Sequence, residues 1–116
     1  MTQEEFIEEL NKRKYSHKIK GGKLIVTHMG NVSIEEIDGL PENIEFRNFG
    51  FVTLYVTTTP KGVEFNNSGS VHLNSLVSFS PGLVFGNNKD VFLNKIKELV
   101  PGVEFKNRAG VFIPLL

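Results

Sequence analysis

Phe46-Arg47-Asn48-Phe49-Gly50-Phe51-Val52-Thr53-Leu54 is followed by Phe65-Asn66-Asn67-Ser68-Gly69-Ser70-Val71-His72-Leu73, and the two stretches share Phe, Asn, Gly, Val and Leu at alternate positions. The frame returns as Phe85-x-Asn87-x-x-x-Val91-x-Leu93 and again as Phe105-x-Asn107-x-x-x-Val111-x-Ile113. Successive phenylalanines are 19, 20 and 20 residues apart. Self-similarity at this period marks a stacked array in which each coil buries its apolar positions against the next. The spacing therefore predicts a short parallel β-solenoid, mainly β with an N-terminal α-helix.

Within a coil, strand side chains alternate faces, so the repeated residues point inward and those between them outward. A third side and corner use Ile37 and Leu40, Leu76 and Phe79, then Ile96 and Leu99. Prolines 41, 60, 81 and 101 close the coils, at corners where a missing ladder donor does no harm. Tyr55-Val56-Thr57-Thr58-Thr59 is one residue shorter than its counterparts and lacks the apolar pair. Asn48, Asn67, Asn87 and Asn107 recur at one corner, where they are expected to stack and bond along the ladder. Gly30, Gly50 and Gly69 mark the same turn and imply positive φ. Lys89 and Ala109 stand there in the last two coils, leaving Asn88 or Gly110 to take the permissive position.

Before the array, Thr2 and Glu5 form a capping box for a short helix with a stripe of Phe6, Ile7 and Leu10. Glu4, Glu5, Glu8 and Glu9 precede Lys12, Arg13 and Lys14, an order that complements the helix dipole. Tyr15–Lys20 and Lys23–His28 flank Gly21-Gly22, a two-residue loop suited to a type I′ hairpin. Leu24 and Val26 already align with Ile44 and Phe46, so the hairpin runs into the first coil. The expected organisation is one domain over 1–116, with a helix-hairpin cap over 1–29 and the repeat array over 30–116.

A chain of 116 residues that is 40% hydrophobic suits one core of ordinary size. Lysine plus arginine and aspartate plus glutamate both number 13, whereas binding many phosphates calls for a basic excess, so nucleic acid is disfavoured as a partner. Cysteine is absent, which fits a reducing, cytoplasmic setting and excludes thiolate metal sites. The acidic segment Thr2–Leu10 has no long apolar run, so neither a secretory signal nor a membrane span is expected.

Leu73-x-x-Leu76-x-x-Phe79-x-Pro81, followed by Phe85-x-Asn87, resembles the short, twenty-residue leucine-rich repeat of bacteria and the degenerate leucine-rich-like repeat proteins of phages and their hosts. The resemblance covers Lys23 to Leu116, about four coils. The order Phe-x-Asn replaces the usual Leu-x-Leu-x-x-Asn, and no coil has room for a convex helix, which favours a compact solenoid over a horseshoe. The resemblance implies recognition of a protein by an outward-facing sheet, with no catalytic residue to carry over.

No catalytic, cofactor-binding or metal-binding set emerges from the residues. His17 and His28 fall in the hairpin and His72 on an outward column, none at metal-ligand spacing from a second ligand. Hexapeptide acyltransferases are also β-solenoids, and Phe46 to Val52 and Phe65 to Val71 are each six apart. Their coils close in about 18 residues, so a period near 20 argues against that enzyme, and an acetyl-coenzyme A titration tests it.

The outside carries more. Ser33, Thr53, His72, Phe92 and Phe112 align as one exposed column, joined by Phe49, Phe51 and Tyr55. Contiguous exposed aromatics mark a contact surface, unless the tail after Ile113 folds over Phe92 and Phe112. Glu45, Glu64 and Glu104 form an acidic column interrupted by Val84 and interleaved with Arg47 and Lys106, which reads as a solvated face. Val111-Phe112-Ile113-Pro114-Leu115-Leu116 has no polar cap, so this end is expected to be covered by a second copy, as a homodimer, or by a partner. The expected function is a non-enzymatic protein-binding repeat module; its most specific form, by analogy with the repeat family, is a phage-encoded inhibitor of a host defence protein, of the anti-CRISPR kind. The alternative is a structural, self-assembling repeat protein.

Overall fold

The computed structural model describes residues 1–96 and 101–113. A helix, α1 (Gln3–Lys12), leads into a hairpin of β1 (His17–Lys20) and β2 (Lys23–Val26). The coils then follow as strand pairs: β3 (Val32–Ile34), β4 (Ile44–Phe46), β5 (Val52–Leu54), β6 (Val63–Phe65), β7 (Val71–His72), β8 (Leu83–Phe85), β9 (Val91–Phe92), β10 (Val103–Phe105) and β11 (Val111–Phe112). One six-stranded sheet runs β1-β2-β4-β6-β8-β10 and a five-stranded sheet runs β3-β5-β7-β9-β11. Every pairing is parallel except the hairpin. The architecture is the β-solenoid that the period demands, with Val52 paired to Val71 and Val71 to Val91.

Inside, Phe46, Phe65, Phe85 and Phe105 stack face to face with centroids 5.2, 5.3 and 5.2 Å apart. Val26 occupies the same column in the first coil. It brings no ring, and Phe6 of α1 supplies one edge-on to Phe46 at 6.4 Å. The capping box is formed, with the Thr2 side chain accepting from the Glu5 N–H and the Glu5 carboxylate accepting from the Thr2 N–H. Gly21 and Gly22 both take positive φ, 59° and 77°, as the hairpin turn requires.

Three expectations change. The first concerns Gly30, Gly50 and Gly69, which lack positive φ; in the coils that geometry belongs instead to Asn43, Gly62, Gly82 and Gly102, each immediately before a strand of the larger sheet. Glycine is needed at position 69 because a Cβ there would come within 2.7 Å of the Gly50 carbonyl carbon and the Phe51 nitrogen of the preceding coil. Asn88 and Gly110 have no positive φ either, since the turn does not ask for it. The second concerns the short coil, where Thr59 stands buried beside Val56 in place of the apolar pair, and the Thr57 carbonyl accepts from the Val77 N–H at 2.9 Å. In neighbouring coils Leu40, Leu76 and Ile96 do this work, while Leu99 lies outside the described residues.

The third is electrostatic. Glu45 is not on a solvated face but only 2% exposed. It is paired with Arg47, with Lys23 at 3.5 Å and with Asn66, whose Nδ2 donates at 3.1 Å. Burial pushes its carboxyl up, but the Arg47 and Asn66 hydrogen bonds and the charges of Arg47 and Lys23 outweigh it and hold the group below the usual glutamate range. Lys23 also bonds Glu64 at 3.1 Å, which, against some desolvation, raises the ammonium above its ordinary value. Glu104 pairs with Lys106 at 3.0 Å with both side chains mostly exposed, so the acidic column is neutralised along its length.

Candidate protein-binding face

The smaller sheet builds this face. Its parallel register sets Ser33 beside Thr53, Thr53 beside His72, His72 beside Phe92 and Phe92 beside Phe112. The residues on either side of each column member point into the core, because the strands alternate buried and outward positions. Adjacent parallel strands lie about 4.8 Å apart, close to the thickness at which aromatic rings stack, so equal positions on successive coils stack by geometry alone. His72 and Phe92 lie 4.6 Å apart at 5°, and Phe92 and Phe112 lie 4.9 Å apart at 9°.

Phe51 joins this stack from the residue before β5, meeting the His72 ring edge-on at 6.2 Å. The Asn31 side chain fixes its backbone, accepting from the Phe51 N–H at 3.0 Å. Four of the anticipated residues, Phe51, His72, Phe92 and Phe112, thus form one continuous set of rings. Phe49 and Tyr55 flank it: Phe49 sits at the corner and is 62% exposed, Tyr55 follows β5 and is 46% exposed, and among the described residues neither takes part in a ring pair. Phe112 ends the column with 49% of its surface open. A tail folded over Phe92 and Phe112 would involve 114–116, which lie outside the described residues.

Beside the column a cavity of ≈ 300 Å³ is lined by Asn31, Phe51, Ser68, Ser70, His72 and Lys89. The sequence reading missed its polar rim. The signal was present in part: 31, 51 and 70 are the residues just before β3, β5 and β7, and column logic extended by one position brings them together. A larger opening of ≈ 620 Å³ lies at the start of α1, among Thr2, Gln3, Gly22, Pro41, Glu42, Asn43 and Pro60, with no aromatic ring among its lining residues.

The other two histidines serve the cap. Tyr15 and His28 pack ring to ring at 4.7 Å, and a ring nitrogen of His17 lies 3.1 Å from the Tyr15 carbonyl. Among the described residues no three His, Asp or Glu side chains gather as a metal site would require, and no helix is long and apolar enough to cross a membrane. The geometry offers an outward row of rings, Phe51, His72, Phe92 and Phe112, beside a polar margin. Comparison with protein-family models, with curated proteins and with solved structures found no match.

Proposed function

We propose that this chain is a non-enzymatic protein-binding repeat module that meets its partner through Phe51, His72, Phe92 and Phe112, with Phe49 and Tyr55 at the margin. The supporting observation is the outward stack itself. Stacked rings on short strands lose little further freedom on binding, and aromatic residues dominate the energetic centres of protein interfaces. The setting proposed is the cytoplasm. The narrower reading, an inhibitor of a host defence protein, rests on the resemblance to phage and host repeat proteins. The test is capture of a partner with wild type and with Phe92→Ser/Phe112→Ser, identified by mass spectrometry. A binder loses one specific partner while its circular dichroism stays unchanged; retention of every partner by the double variant would rule the column out.

The self-assembling reading is favoured by a separate observation. Leu83, Phe85, Asn87, Val91 and Leu93 are buried, yet Val103, Phe105, Asn107, Val111 and Ile113, one coil on, are only half-buried.

A further inference from the structure

We infer that the cavity beside the aromatic column is a carboxylate-binding site, which takes an aspartate or glutamate side chain of the protein partner. This deepens the protein-binding reading and rests on it. The site begins with a break in a repeated device. Asn31, Phe51, Ser70, Asp90 and Gly110 immediately precede β3, β5, β7, β9 and β11, so they follow one another from coil to coil. In this column a side chain caps the backbone of the coil that follows. Asn31 Oδ1 accepts from the Phe51 N–H at 3.0 Å, and Asp90 Oδ1 accepts from the Gly110 N–H at 2.9 Å. Phe51 has no oxygen to offer, and among the described residues the Ser70 N–H, next in the column, has no acceptor. The shared register turns that N–H toward the Phe51 coil, on the cavity that Ser70 and Phe51 both line.

The surroundings of this gap select an anion. Gly50 and Gly69 form part of the lining, and their carbonyls are already engaged. The Gly50 oxygen accepts from the Gly69 N–H at 3.1 Å and from Asn67 Nδ2 at 2.9 Å, and the Gly69 oxygen accepts from Asn67 at 3.2 Å and Asn87 at 3.1 Å. With those acceptors consumed, the cavity is rich in donors: the Ser70 N–H, the Ser68 and Ser70 hydroxyls and the Lys89 ammonium, with no aspartate or glutamate among the lining residues. Asp90, next to Lys89 in sequence, turns its Oδ1 to Gly110, one coil further from Ser70. An ionised carboxylate only accepts, so it satisfies the orphan N–H and brings the charge that Lys89 complements. One lysine is a point charge without a fork, whereas a phosphorylated residue is met by a cluster of arginines, so a carboxylate is the better match. The volume of ≈ 300 Å³ is at the small end for ligand pockets, which suits a single side chain. Phe51 and His72 belong to both the cavity and the row of rings, so the acidic group would dock in continuity with the aromatic contact.

The test is an amide-detected NMR titration of the full chain with sodium acetate and, separately, with inorganic phosphate, sodium chloride being the matching salt. Acetate is expected to move the Ser70 amide proton downfield and to saturate. Lys89→Gln should weaken acetate about threefold, as an exposed charge pair allows, and Lys89 is exposed, so folding is not at stake. Phe51→Asn restores the acceptor that the repeat uses at Asn31 and should abolish the response of Ser70. A Ser70 amide that ignores acetate, that answers phosphate alone, or that still answers acetate in Phe51→Asn would overturn the site and leave the aromatic column standing. The partner captured with wild type should bind Lys89→Glu more weakly, and indifference to that change would overturn the assignment of the site to the partner. Only retention of every partner by Phe92→Ser/Phe112→Ser reaches the protein-binding reading itself, and the proposal would fall with it.

Discussion

Each corner asparagine closes three carbonyls with one amide. Asn67 Nδ2 lies 2.9 Å from the Gly50 oxygen of the preceding coil and 3.2 Å from those of Gly69 and Ser70. Asn107 repeats the arrangement with Lys89, Ala109 and Gly110, but half-exposed. Burial decides what the bonds are worth, because an orphaned carbonyl in the interior has no water to turn to. Asn67→Ala is expected to lower unfolding free energy in urea by about 2–3 kcal/mol and Asn107→Ala by less than about 1 kcal/mol. Glu45 gives a pH prediction. Its folded pKa is depressed, so the stability it contributes is present above the ordinary glutamate range and is lost as pH falls through the folded value. Glu45→Gln should be about 1–2 kcal/mol less stable at pH 7, and its pH–stability curve should converge on that of wild type in acid. The asparagine column was legible in the sequence because spacing reveals position. The partners of Glu45 beyond Arg47 were not, since Lys23 and Asn66 come from other coils and their reach depends on side-chain paths. Gly69 was found for the wrong reason: spacing marked the turn, but only the separation between coils shows that a Cβ has nowhere to go.

Among the elements, α1 depends on two residues that face the end of the array. Phe6 and Leu10 are buried, and Phe6 is the edge ring on the phenylalanine stack. Phe6→Ala is expected to cost about 3–5 kcal/mol in thermal or urea unfolding, because it removes a buried ring and uncovers Phe46. An unchanged midpoint would mean that the helix does not close the array. Helix, hairpin and strands were readable from local signals, namely the capping box, Gly21-Gly22 and the alternation of each coil. Their limits were less so: the hairpin strands span His17–Lys20 and Lys23–Val26, so Tyr15 and His28 lie outside them, packed on each other. The short coil does lack the apolar pair, but its missing residue moves the inward positions to Val56 and Thr59, a shift invisible to a fixed repeat frame.

Across the whole molecule, the repeat made the outward column legible too, since parallel register carries any position from coil to coil. Its polar margin escaped because Asn31, Ser68 and Ser70 belong to no repeated letter and Lys89 stands where the repeat has glycine. The inner stack has a further consequence. Neighbouring coils meet through the same strand edges and the same ring, at 5.2, 5.3 and 5.2 Å, so one seam is equivalent to another. A gene duplication of residues 62–81 would insert a whole extra winding, lengthening the body by about 4.8 Å while leaving the helix at one terminus and Phe112 at the other untouched. Span and extremities are thus separately adjustable, like a telescoping rod with fixed fittings.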